Sequence, residues 1–416
     1  MQRSKPASIR DVARVAGVSH QTVSRVLNGH PSVREDTKAR VLAAMSQLRF
    51  RPSRAARMLS TRRSETIGVL AAAVGSHYGP ASSVSAVEDA ARERGFYATV
   101  AHLASVSPSA ITAAVEDLLG QDVEGIAIVA PRTAVLSHLA SLPLTVPIVA
   151  AQGEQRDAGG IPVVSVDQQA GVAMVMRHLL SRGHRRILHL AGPPDWNDAQ
   201  SRHRAYEAEL AAAGLPVLDS VFGDWTADSG YRVGRDLLSR AGSGAPAAGR
   251  DFTAVFSAND QMALGLIHAL REAGLDVPGD VSVAGFDDIP ESAHFWPPLT
   301  TVRQDFASLG QRCVATLIDA IDAVITGPAA VTGSGSILNA PASSPAPSVS
   351  PAVTASPAAP AVTASPAAAA PASAASPAAP ATAPAGIPAA IPHPEALPAP
   401  VAPRLIVRDS VRDLTA

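Results

Sequence analysis

The chain has 416 residues, enough for two or three domains, and a formal net charge of −2. That near-neutral total hides a division: residues 1–63 hold 14 Lys or Arg against 3 Asp or Glu, and the remainder holds 20 against 33. A basic head on an acidic body places any polyanion contact at the head. The single cysteine, Cys313, excludes an intramolecular disulfide and a cysteine-based zinc site, and its apolar helical surroundings make it a core residue. The opening MQRSKPASIR has no apolar signal region, and no later apolar run is long enough to span a bilayer. These features predict a cytoplasmic protein with no membrane partner.

Ser8 to Gly29 reads as a helix-turn-helix. Ser8 and Asp11 have capping-box spacing, Val12, Ala13, Val15 and Ala16 supply an apolar face, and Gly17 ends the first helix. Ser19 caps a second helix from about His20 to Leu27, with Val23, Val26 and Leu27 as its buried stripe. Asn28-Gly29 is a stop. Two helices joined by a short Gly-containing turn form a DNA-reading unit, in which the start of the second helix reaches base edges. Gln21 can bond adenine N6 and N7, and Arg25 can bond guanine O6 and N7. Ser32 to Glu35 should cap a third helix to about Leu48, with Val41, Leu42, Met45 and Leu48 inward, closing a domain over residues 1–50.

The stretches IRDVARVAGVS, TVSRVLNG, RPSRAARML and TIGV resemble, in order and spacing, the N-terminus of the lactose repressor family of transcription regulators. The resemblance implies that His20 and Gln21 form the operator-specificity pair. Arg25 then makes a base or phosphate contact, Ser19, Thr22 and Ser24 sit near phosphates, and Asn28 joins the DNA contacts. It implies a hinge helix within residues 51–64, where Pro52 breaks the previous helix. A helix as short as Arg54 to Leu59 is marginal alone and orders against a twin in a dimer. Arg54 would contact DNA, Ala56 would allow close approach, and Leu59 would wedge between base steps in the minor groove.

From Thr66 the pattern changes to short apolar runs alternating with helical stretches. TIGVLAAAV and GIAIVA read as buried strands, with helices over 85–94 and 108–120 between them. A second set holds PIVAAQ, PVVSVD, RRILHLAG, PVLDSVFGDW, AVFSAND and VSVAGFDDI, with helices over 172–182, 201–213, 229–240 and 261–273. This alternation predicts a doubly wound α/β fold in two lobes, with ligand beyond the carboxyl ends of the strands. Neither set opens on a dinucleotide fingerprint or P-loop, which argues against a nicotinamide or nucleotide-triphosphate enzyme. Asp167, Trp225, Asn259, Asp260, Asp287 and Asp288 stand at strand ends, and Arg202 opens a helix. Carboxylates, an amide and a guanidinium beside one indole suit a sugar, although Asp260 and Asp288 fit equally as helix caps.

SVDQQAG, GHRRILHLAGP, RHRAY, FSANDQMALG, VSVAGFDDI and PPLTTVRQDFASLGQ continue the resemblance through the family's two-lobed, periplasmic-binding-protein-like effector core. The lactose-responsive members are most similar, through Gly223-Asp224-Trp225. Carried over, Asp167, Arg202, Asn259 and Asp287 bind sugar hydroxyls, Trp225 stacks on the ring, and Phe306 adds an apolar wall. Ala205 stands where the family has glycine after this arginine. His77 and Tyr78 are further candidates from the first lobe. The resemblance also implies a helix over 309–324 in the first lobe and a returning strand, Arg404 to Asp409, so that 65–326 and 403–416 form the core.

Between them, residues 327–402 are rich in Ala, Pro, Ser and Thr, carry Glu395 as their one formal charge and repeat PAVTASPAA at 351–359 and 360–368. Such a segment cannot bury a core and is expected to be disordered. The resulting expectation is a non-enzymatic repressor without cofactor or metal: a homodimer on pseudo-palindromic double-stranded operator DNA, controlled by a small sugar, most simply a galactoside. A purine or protein corepressor is the alternative within the same role, and a sugar-binding protein without DNA function is the alternative outside it.

Overall fold

The computed structural model describes residues 7–27, 30, 32–50, 58, 63–72, 78–130, 132–151, 160–240, 251–326 and 399–415. Asn28, Arg54, Ala56, Leu59, His77 and the repeat-bearing segment lie outside the described residues.

Three helices form the head: α1 (Ile9–Ala16), α2 (His20–Leu27) and α3 (Glu35–Gln47). The Ser8 backbone N–H and hydroxyl donate to Asp11, at 2.9 and 2.7 Å, and with Arg14 they hold the Asp11 carboxyl down at about 2. Gly17 takes the left-handed conformation, φ 66°, that a sharp helix stop needs. The Ser19 hydroxyl accepts the Thr22 N–H at 3.1 Å. Val12, Ala13, Ala16, Val23, Val41 and Ala44 form the small core. Val15 and Leu42, expected inside, are 40% and 50% exposed, because α1 and α3 are gripped along narrower stripes than the apolar pattern suggested. Arg34, not Ser32, is the residue before α3.

The first lobe is a parallel sheet built from β1 (Thr66–Ala72), β2 (Tyr97–Leu103), β3 (Gly125–Val129), β4 (Ile148–Ala151) and β5 (Val163–Val164), in the order β2-β1-β3-β4-β5. Helices α4 (Tyr78–Glu93), α5 (Pro108–Leu119) and α6 (Thr133–Ser141) connect its strands. PIVAAQ and PVVSVD therefore complete the first sheet rather than opening the second: Ile148 to Ala150 pair with Ile126 to Ile128, and Val163 pairs with Ala150. An apolar strand does not announce its sheet; the partner with a free edge decides.

The second lobe carries α7 (Gln168–Ser181), β6 (Ile187–Ala191), α8 (Asn197–Ala212), β7 (Val221–Phe222), α9 (Ala227–Arg240), β8 (Ala254–Ser257), α10 (Asp260–Glu272) and β9 (Ser282–Ala284). Its sheet order is β7-β6-β8-β9, again with the strand order reversing after the first strand. β10 (Thr301–Arg303) then leads into α11 (Phe306–Thr326), which returns to the first lobe and packs Leu309, Cys313, Leu317 and Ile321 on its core. Burial pushes the Cys313 thiol up to about 12. A Cβ on Gly125 of β3 would lie 2.9 Å from Leu317, so the close seating of α11 depends on that glycine.

The chain crosses between lobes a third time at Val401, which is buried in the first-lobe core and exchanges backbone bonds with Ser165 and Asp167. The core thus resumes before residue 403. β11 (Arg404–Ile406) pairs antiparallel with β10. Beyond it, Arg408 donates to Asp288 at 2.7 Å, to the Leu299 carbonyl at 2.7 Å and to Ser292 at 3.2 Å. Burial raises the Asp288 carboxyl, but the Arg408 and Arg303 bonds outweigh it and hold the group below its ordinary value. Asp288 is therefore held in a structural clamp.

Removing one partner of a buried ion pair strands the other. Arg408→Met should lower the unfolding free energy by about 3 kcal/mol, while Arg303→Met, at a position 55% exposed, should cost less. Urea melts of the two variants check this; an equal or reversed order would contradict the clamp.

Candidate ligand cleft and nucleic-acid face

The carboxyl ends of both sheets face one cleft. Its lining comes from Tyr78, Gly79 and Pro80 of the first lobe and from Trp196, Asp198, Arg202, Trp225, Asn259, Asp287 and Gln304 of the second. These positions follow β1, β6, β7, β8, β9 and β10, so the topology delivers them to one place; those after β1, β6 and β8 stand at the reversal points of the strand order.

The two indoles, 4% and 5% exposed, form a corner with ring centroids 5.6 Å apart at 64°. Trp225 sits at φ 74°, a strained backbone for an indole, and the Asn259 amide holds its carbonyl at 2.9 Å. Gly192 at the end of β6 makes room, since a Cβ there would run into the six-membered ring. The Trp225 Nε1–H is buried with no hydrogen-bond partner among the described residues, so this donor is available to a ligand acceptor.

Arg202 lies with its guanidinium 3.9 Å over the Phe286 ring and donates to the Ala258 carbonyl and, at 2.9 Å, to Gln168. Its Nη2 is 3.6 Å from the Asp287 carboxylate, which also accepts the Gln304 amide at 2.7 Å. Burial pushes the Asp287 carboxyl up to about 6 against the pull of Arg202 and Gln304, and Asp198 adds to the rise. Burial pushes Asp260, behind it, well above the ordinary value, and the Asp287 charge adds to this. The Asp260 carboxyl accepts from Thr301 at 2.5 Å and from the Ile289 N–H at 2.9 Å, away from the cleft.

Across the cleft edge, Arg132 of the first lobe pairs with Asp195 at 2.9 Å and stands 5.2 Å over the Trp196 ring. Thr133 donates to Asn197 at 2.5 Å. The lobes are thus joined beside the cavity.

Of the six expected ligand residues, Arg202, Trp225, Asn259 and Asp287 line this cleft and two do not. Asp167 caps α7, its carboxylate accepting the Ala170 N–H at 2.8 Å. Phe306 packs into the first-lobe core, edge-on to Tyr78 at 5.9 Å, where it lines a separate groove. The Asn259 side chain also caps α10 through Met262, so both ends of its amide are engaged in holding local structure. Tyr78 joins the cleft as expected. Trp196, Asp198 and Gln304 were missed, although each follows a strand or opens a helix as the others do.

On the head, His20, Gln21 and Arg25 are exposed along α2, with Ser19 at its cap. Thr22 and Ser24 are half-buried beside them. Helix α2 rests on the core through Val23, which leaves the polar side outward.

Comparison with known proteins agrees with both halves. The model for bacterial regulatory proteins of the lacI family matches residues 8–53, and that for the periplasmic binding protein-like domain matches residues 176–335. The lactose operon repressor of Escherichia coli (strain K12) is 35% identical over 319 residues, 76% of this chain and 84% of that protein. The ribose operon repressor of the same strain is 34% identical over 322 residues, covering 76% and 93%. A crystal structure of the lac repressor dimer bound to operator and the anti-inducer ONPF superposes with a TM-score of 0.65 at 33% identity, over 77% of this chain and 94% of that one. The chain belongs to the lacI family of bacterial regulatory proteins and is a DNA-binding transcriptional repressor with a ligand-responsive core.

Proposed function

We propose that the ligand is a small sugar, a galactoside, and that it controls the affinity of a homodimer for a pseudo-palindromic operator. The observation that carries this reading is the indole corner facing Arg202, Asp287 and Gln304. A pyranose has one apolar face for an indole and a rim of hydroxyls for carboxylate, guanidinium and amide. The relatives' names point to different sugars, lactose and ribose, and the Gly223-Asp224-Trp225 likeness favours the first. The dimer rests on the relative solved as a dimer on operator.

Titration of the full chain with lactose, methyl galactoside, methyl glucoside, ribose and hypoxanthine, read by operator release, tests the class. Tight binding of hypoxanthine with no response to any sugar would replace the galactoside by a purine corepressor. Trp225→Ala should weaken galactoside binding by about 30- to 150-fold, from roughly 2–3 kcal/mol of lost aromatic burial, with operator affinity retained.

On the DNA side, Gln21→Ala should cost about 1–3 kcal/mol on the preferred operator and relax one base position in each half-site. Competition against operators altered at single positions measures it; an equal loss on random DNA would remove Gln21 from base readout.

Asp287 supplies a pH dependence. Its folded value of about 6 lies above the ~3.9 of an unfolded aspartate. Its contribution to stability is therefore fully present below about pH 4 and is lost as pH rises through about 6. A sugar hydroxyl donates to the ionised carboxylate, so ligand affinity should run the other way, rising about tenfold between pH 5 and 7.5. Asp287→Asn should flatten both curves, measured by thermal melts and by calorimetric titration.

A further inference from the structure

Four buried side chains form a ring of three hydrogen bonds closed by a longer ion-pair contact. Arg202 Nε donates to Gln168 Oε1 at 2.9 Å, and Gln168 Nε2 donates to Gln304 Oε1 at 2.9 Å. Gln304 Nε2 then donates to Asp287 Oδ1 at 2.7 Å, and Arg202 Nη2 stands 3.6 Å from the same oxygen. Gln168 and Gln304 are 7% and 5% exposed.

The members occupy distinct places in the fold. Arg202, Asp287 and Gln304 line the cleft; Gln168 does not. Gln168 is the first residue of α7, immediately after the first crossing between lobes. Gln304 lies between β10 and α11, in the second crossing. The third crossing is attached to the first within three residues of Gln168, through Val401 N–H to Ser165 and Asp167 N–H to Val401. One side chain therefore sits where all three crossings meet and touches a charged cleft residue directly.

We propose that Gln168 is the positioning residue that couples the cleft to the hinge between lobes. The chemistry of the ring gives it a direction. A guanidinium only donates, so Gln168 must turn its oxygen to Arg202 and its amide nitrogen to Gln304. Gln304 must then turn its oxygen to Gln168 and its nitrogen to Asp287, which must present an unprotonated oxygen. A ligand that pulls Arg202 or recruits this Asp287 oxygen breaks the register at one end. Each buried amide then re-pairs or is left unsatisfied, and the alternative pairing changes how two crossings are held. The charged or titratable groups facing Asp287 are Arg202 and Asp198 on α8, Asp260 on α10, the neighbouring Asp288, and Tyr78 from the first lobe.

The ligand in this coupling rests on the galactoside reading; the wiring of the ring does not. Gln168→Leu in the full chain should leave operator affinity without ligand within about twofold and weaken methyl galactoside binding less than tenfold. It should reduce the ligand-induced change in operator affinity to below twofold. Gln168→Asn, which keeps donor and acceptor on a shorter arm, should restore part of that change. A full response in Gln168→Leu overturns the proposal, as does a response lost only together with operator binding and melting temperature.

If no galactoside binds the unaltered protein, the galactoside reading fails and the coupling is read without ligand. Asp287→Asn should speed amide hydrogen exchange at 165–168 and 303–306 when Gln168 is present and change it little in the Gln168→Leu background. Equal effects in both backgrounds overturn the proposal.

Discussion

The arrangement depends on keeping a guanidinium and a carboxylate together away from water. Arg202 and Asp287 are 4% and 6% exposed, and an isolated buried charge of either sign costs several kcal/mol. At 3.6 Å their direct contact is too long to offset that alone, so the surrounding donors and acceptors carry the balance. Gln168, Gln304, the Ala258 carbonyl and the Phe286 ring face supply it. The raised value of Asp287 records that burial outweighs the pull of Arg202 and Gln304.

Both sheets reverse strand order beside their first strand, and each reversal opens a crevice at the carboxyl ends. Setting two such crevices face to face produces a cleft whose walls belong to different bodies. Among the described residues three crossings connect those bodies, with further side-chain contacts at the cleft edge through Arg132 and Thr133. A ligand touching both walls therefore acts on their relative position, a requirement for control at a distance.

Much of this was legible in the residues. The capping box at Ser8, the stop at Gly17 and the cap at Ser19 are local chemistry, and local chemistry predicts the head helices closely. Fully buried strands such as β1 and β3 read clearly as apolar runs. β2, a half-exposed edge strand, gave no such run, and β5 is two residues long. The lobe to which β4 and β5 belong depends on pairing partners far away in sequence.

In the cleft, Trp225 and Asp287 were legible as residues at strand ends; Arg202 was expected to open a helix, but α8 begins at Asn197 and places it one turn further in. The same rule selected Asp167, which caps a helix instead, because a carboxylate at a helix start serves either role. Trp196 was hidden in a turn, six residues before Arg202, and two glutamines offered no charge to draw attention. The residues tying the site together were thus harder to find than those facing the ligand. In the proposed coupling one free energy links cleft and operator, and linkage makes it reciprocal. Calorimetric titration of methyl galactoside into the protein, free and saturated with operator DNA, tests it most directly. Operator should change galactoside affinity by the same factor by which galactoside changes operator affinity, and identical galactoside affinity in the two titrations would contradict the account.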